Sequence, residues 1–195
     1  MRINEIYEKN NISLAIERRK VLIDNMQKLI SDKKDCFSCK GHCCTYQNNS
    51  MQVTPLEALD AYYYLERKDL ISAELVKSLK DSIQKFRLDI EVPTRNGKFL
   101  RRYYTCPFFT EGAKGCGLSL EDKPYGCLGF NPKESNVQSE GFCESDQDLL
   151  EQNQRNFPEE KKHNETLKNT LDIYWDKRNL PWAILNLIEK FQHKS

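Results

Sequence analysis

The chain has no apolar run approaching the ~20 residues needed to cross a bilayer. Its start, Met1-Arg2-Ile3-Asn4-Glu5, is charged early and carries no apolar signal core. Neither sign of charge predominates: 30 basic and 29 acidic residues leave a net charge of +1. Composition therefore gives no footprint for nucleic acid. No glycine loop that cradles phosphate, no nucleophile elbow and no His-Glu-x-x-His helix is present, so hydrolysis has no candidate residues. Glycine is scarce, and five of the eight glycines fall between positions 112 and 129. At 195 residues the chain is long enough for one ordinary domain with a core. These absences predict a cytoplasmic, membrane-free protein, in a compartment where thiols stay reduced.

What the chain does have is sulfur. Cys36, Cys39, Cys43 and Cys44 lie within nine residues, spaced C-x2-C-x3-C-C, and Cys106, Cys116, Cys127 and Cys143 follow. Thiolates favour soft or borderline metals, and a C-x2-C turn lets two sulfurs reach one ion. Eight sulfurs suit two four-coordinate sites, and the ions to expect are zinc or iron, the latter as ions or as an iron-sulfur cluster. Adjacent side chains such as those of Cys43 and Cys44 are expected to diverge and to serve two metals, or two irons of one cluster. His42, inside the first cluster, reads as a loop residue or as a donor to sulfur. Replacing eight protons by two divalent ions takes the formal charge from +1 to about −3, a further argument against nucleic acid. The x2 gap precedes the x3 gap, which matches neither the radical-enzyme spacing C-x3-C-x2-C nor that of bacterial ferredoxins.

The eight-cysteine pattern, with Thr54-Pro55-Leu56-Glu57 after the first cluster and Cys106-Pro107-Phe108-Phe109 opening the second, resembles the YkgJ-type cysteine-cluster family. The resemblance covers roughly residues 36 to 143. It implies a zinc- or iron-chelating domain in which all eight cysteines are ligands. It also implies a distant relationship to flagellin lysine N-methylase, and with it two enzymatic alternatives, a redox protein or a protein methyltransferase. The chain departs from the family at Lys123-Pro124-Tyr125-Gly126-Cys127-Leu128, where the family has arginines on either side of the Pro-x-x-Cys step.

Helical periodicity frames the cysteines. Ile12, Ala15, Ile16, Leu22, Ile23, Met26, Leu29 and Ile30 form one stripe opposite Glu17, Arg18, Lys20, Asp24 and Lys28, which predicts a helix from Ile12 to Ile30. Thr54-Pro55-Leu56-Glu57 is a capping box opening a helix that runs to about Arg67. Of its consecutive tyrosines Tyr62, Tyr63 and Tyr64, at least one belongs to the core. A second start at Ser72 begins the stripe Leu75, Val76, Leu79, Ile83, Phe86, Ile90. Pro93 and Asn96-Gly97 predict a hairpin leading into Cys106. Helices are further expected over 146–157, 159–176 and 181–192, with His163 and His193 on exposed sides.

The expected architecture is mainly α: a single domain over 1–195, with a metal core at 36–143, flanking helices at 1–35 and 144–195, and a short hairpin as its only sheet. The glycine-rich stretch is expected to depend on metal for order.

Overall fold

The computed structural model describes residues 3–31, 42–110, 116–132 and 143–192. It is mainly helical. The helices are α1 (Ile3–Lys9), α2 (Ala15–Arg18), α3 (Lys20–Ser31), α4 (Pro55–Arg67), α5 (Ala73–Phe86), α6 (Tyr125–Leu128), α7 (Gln147–Asn156), α8 (Glu160–Leu171) and α9 (Leu180–Gln192). A single 3-10 turn spans His42–Cys44. The strands are β1 (Gln52–Val53), β2 (Phe130–Pro132), β3 (Cys143–Ser145) and β4 (Arg178–Asn179). They form two antiparallel pairs, β1 with β4 in the register Val53 to Arg178, and β2 with β3 in the register Pro132 to Cys143. The hairpin is thus not the only sheet. At Asn96-Gly97 the chain does turn back, with Gly97 at φ +74°, but the ribbon is closed by a single bridge between Pro93 and Phe99.

Local signals set the helix ends. Thr54 Oγ1 accepts from the Glu57 amide while the Glu57 carboxylate accepts from the Thr54 amide, the reciprocal arrangement that satisfies two otherwise orphaned donors of α4. Ser72 caps α5 through the Leu75 amide, and α5 stops at Arg87, whose φ of 52° is left-handed. Asp146 caps α7 through the Leu149 amide.

The centre of the molecule is α9, which packs on both α4 and α5. Leu56, Leu59, Leu79, Leu167, Ile184 and Leu187 are wholly buried in the cluster formed there. Tyr62, the core member of the three, stacks on Phe191 with ring centroids 4.9 Å apart, Tyr63 meets Tyr7 edge-on, and Tyr64 Oη donates to the Gly117 carbonyl. A smaller cluster of Leu22, Ile23, Tyr125 and Leu128 joins α3 to α6, with Leu149 and Leu150 of α7 against it.

Three expectations are corrected. The predicted 12–30 helix is interrupted at Arg19, and its polar face is not as drawn: Ile16 is exposed, whereas Arg18 and Arg19 are buried. The 75–90 stripe, which packs chiefly on α9, ends early: Ile90 lies past the end of α5 and is exposed. His163 is buried and stacks on Phe157, 5.6 Å between centroids. His193, Cys36 and Cys39 and the side chain of His42 lie outside the described residues.

Candidate metal centre

Backbone hydrogen bonds bring the sulfurs together. The segment after the 3-10 turn runs beside residues 104–106: the Cys106 amide donates to the Cys44 carbonyl (2.8 Å) and the Tyr104 amide to the Asn49 carbonyl (2.9 Å). Tyr104 is fully buried between them, its hydroxyl donating to the Met51 carbonyl and accepting from the Leu180 amide. The Gly117 amide then donates to the Phe108 carbonyl (2.7 Å), which carries Cys116 back to the same place. Cys127 sits on α6, and Cys143 follows through its pairing with Pro132.

Placement of α6 depends on residues far away in sequence. Arg19 Nε donates to the Lys123 carbonyl (2.8 Å) and its guanidinium lies over the Tyr125 ring (4.7 Å). Arg18 reaches the Tyr125 hydroxyl (3.2 Å), and the Tyr125 amide donates to Glu57 Oε1 (2.8 Å). Both arginines meet Asp60, Arg18 at Oδ1 and Arg19 Nη2 at Oδ2 (2.8 Å), and Tyr7 donates to Oδ1 (2.7 Å). The Arg19–Asp60 approach is an ion pair without hydrogen-bond alignment, so Arg19 Nη2 and Asp60 Oδ2 have no hydrogen-bond partner of their own. Burial alone would raise the Asp60 carboxyl, but Arg19 and Arg18 outweigh it and hold it below the usual carboxylate range. Gly126 is pressed on Met51, whose Cε would lie 2.7 Å from an added Cβ, and Gly129 meets Leu150 in the same way. These two glycines are there for close packing, and Phe108, Leu118, Tyr125 and Leu128 of the same stretch are buried. The described parts of the 106–143 stretch therefore contribute core of their own.

Cys43, Cys44, Cys106, Cys116, Cys127 and Cys143, all free thiols, line one cavity of about 1380 Å³. Cys43 and Cys44 do not diverge: their sulfurs lie 4.0 Å apart. Sulfurs on one tetrahedral zinc, with bonds of about 2.3 Å, stand about 3.8 Å apart, so the pair is spaced for a shared ion. Among the described residues, however, no group of three or more His, Cys, Asp or Glu side chains is arranged to hold a metal ion. The thiols influence one another strongly. Hydrogen bonding from Cys44, helped by Lys123, brings the Cys116 thiol down to about 6, and Cys44 likewise lowers Cys43. Cys44, hydrogen-bonded to both, is raised in turn. Burial and then the neighbouring Cys116 push Cys106 and Cys127 up. The Lys123 charge acts on four of these sulfurs, acting to lower Cys43, Cys106, Cys116 and Cys127.

Away from the sulfurs the cavity wall includes Glu57, Glu160, Asn164 and Lys177. Burial, with Glu57 nearby, pushes the Glu160 carboxyl up to about 7 against the opposing pull of Arg18 and Lys177.

Arg18, Arg19, Asp60, Tyr125 and Glu160 were not singled out by sequence. The available signal was Asp60 itself, an acid one turn after Leu56 and next to Leu59 on the apolar face of α4, where a charge demands a buried partner. No protein-family model matches the chain, nor does any curated protein or solved structure at a significant level. No helix among the described residues is long and apolar enough to cross a membrane.

Proposed function

We propose that this is a cytoplasmic metal-binding protein of the cysteine-cluster kind, holding zinc or iron through Cys36, Cys39, Cys43, Cys44, Cys106, Cys116, Cys127 and Cys143. The observation that supports it is convergence. Thiols from around residues 43, 106, 116, 127 and 143 line one cavity, and five of them perturb one another's ionisation with Lys123 as the nearby positive charge. Burying several sulfurs side by side makes successive thiolates costly. A bound cation supplies the missing positive charge and a coordination shell for soft donors. The chain's own part is to fix the sulfurs: Cys44 and Cys106 through their shared backbone bond, Cys116 through Gly117, and Cys127 through the Arg19, Glu57 and Tyr125 contacts. Full thiolate ligation favours a structural or electron-transfer role over Lewis-acid chemistry.

One observation favours a second reading, an enzyme that uses the centre. The cavity of about 1380 Å³ exceeds the usual size of a small-molecule site, about 300–1,000 Å³, and leaves room for a substrate beside the sulfurs. A redox protein or a protein methyltransferase like flagellin lysine N-methylase fits that reading.

Elemental analysis of anaerobically purified protein tests the proposal. A pale preparation with stoichiometric zinc supports a structural site, and a brown one whose visible absorption bleaches on reduction supports a redox centre. Cys43→Ser and Cys116→Ser should each lower metal content. Native disulfides in protein taken anaerobically from cells, or full metal content in both variants, would overturn it.

A further inference from the structure

Charge that balances over the whole chain is uneven in two segments that reach the cysteine cavity. The hairpin carries Arg95, Lys98, Arg101 and Arg102. The two acids beside it are taken up elsewhere, Asp89 by Arg87 (3.8 Å) and Glu91 by Arg178 (2.6 Å), which leaves the four basic side chains without an ion-pair partner among the described residues. Between them Phe99, Leu100 and Tyr103 are more than half exposed, at 51%, 54% and 57%. The segment from Glu144 to Glu151 is the opposite: Glu144, Asp146, Asp148 and Glu151 occur there with no basic residue. Asp146 is occupied in capping α7, Glu151 has only a long 3.7 Å contact with exposed Arg155, and Asp148 has no ion-pair partner among the described residues. Arg101 and Tyr103 from the basic strip, and Ser145, Gln147 and Glu151 from the acidic one, line the same cavity, so both strips border one face.

A nucleic acid laid on this face meets the acidic strip as well as the basic one, and so does an acidic protein. A surface that carries both signs side by side is complementary to a copy of itself turned through a two-fold axis. We propose that the face is an interface between two copies of this chain, the hairpin of each lying against the acidic strip at the start of the other's α7. Phe99, Leu100 and Tyr103 supply the apolar area, and the charges set register and orientation. Each hairpin then covers the partner's cavity, whatever that cavity holds.

Charge reversal tests it, read by analytical ultracentrifugation. Wild type should dimerise, more weakly as salt rises. Arg95→Glu with Lys98→Glu, and separately Asp148→Lys with Glu151→Lys, should each weaken the dimer about tenfold or more. All four positions are exposed, so folding is not at stake. Mixing the two variants should restore dimers, because in the mixed pair one contact is doubly reversed and the other is wild type. Three results would overturn the proposal: a wild-type monomer at about 100 µM in low salt, a dimer indifferent to both reversals, or a mixture that stays monomeric. Binding of a single-stranded oligonucleotide that is lost on hairpin reversal, without self-association, would assign the face to nucleic acid instead.

Discussion

Around α4, α5 and α9 the interior is filled by Leu56, Leu59, Leu79, Ile184 and Leu187, while at comparable depth beside α6 it is filled by two arginines and two carboxylates, with a group of mostly half-buried thiols next to them. The first region is held by apolar area, which is non-directional and tolerates substitutions of similar volume. The second is held by pairings, each of which leaves a costly orphan when one member goes. One chain thus combines a forgiving body with an exacting site, joined through α4, which presents Leu56 and Leu59 to the first region and Glu57 and Asp60 to the second.

The sharpest way to break this contrast is Asp60→Ala. Arg18 and Arg19 then sit buried without their carboxylate, and removing one member of a buried ion pair costs about 3–5 kcal/mol. Urea unfolding should show that loss, and metal content should fall with it because Arg19 no longer fixes Lys123. A variant with wild-type stability would mean the two arginines find another partner. Leu187→Ala is the matching change in the apolar body. It should cost about 3 kcal/mol through lost burial and the cavity left behind, with metal content per folded molecule unchanged. If it lowers metal content as much as Asp60→Ala does, the two regions are not separately held.

The smallest effect has the most specific signature. Glu160 carries a folded-state value of about 7, above that of an exposed glutamate, so the wild type is favoured while the carboxyl is protonated in both states. That advantage is lost as pH rises from about 4.3 through 7. Glu160→Gln cannot ionise, so it should match wild type near pH 4 and exceed it by about 1–3 kcal/mol above pH 7. A difference independent of pH would show that Glu160 is not the titrating group.

What was legible in the sequence was local. The Thr54–Glu57 box, the Ser72 cap, the Asn96-Gly97 turn and the core place of one of Tyr62, Tyr63 and Tyr64 depend on residues a few positions apart, and the structure has each of them. The six described cysteines line one cavity. What was not legible has distant partners. Arg18 looks like an ordinary polar-face residue until Asp60 and Tyr125 are placed against it, and β1 has no strand character without β4. His163 looks solvent-facing on its own helix and is buried because Phe157 folds over it. The close spacing of the Cys43 and Cys44 sulfurs comes from the 3-10 turn, which periodicity does not reveal.

The pairing of Val53 with Arg178 has a consequence for how the protein is made. Ribosomes add about 5–20 residues per second, so the second partner emerges about 6–25 s after the first. Through that interval the sulfurs of the 3-10 turn exist without the strand pair that anchors their segment, and Cys106, Cys116, Cys127 and Cys143 appear one after another into a chain whose α9 has not yet been synthesised. Contacts this far apart in sequence also slow folding once the chain is complete. The thiols are therefore most open to oxidation, and to capture by any passing soft ion, in a nascent chain and not in the finished protein.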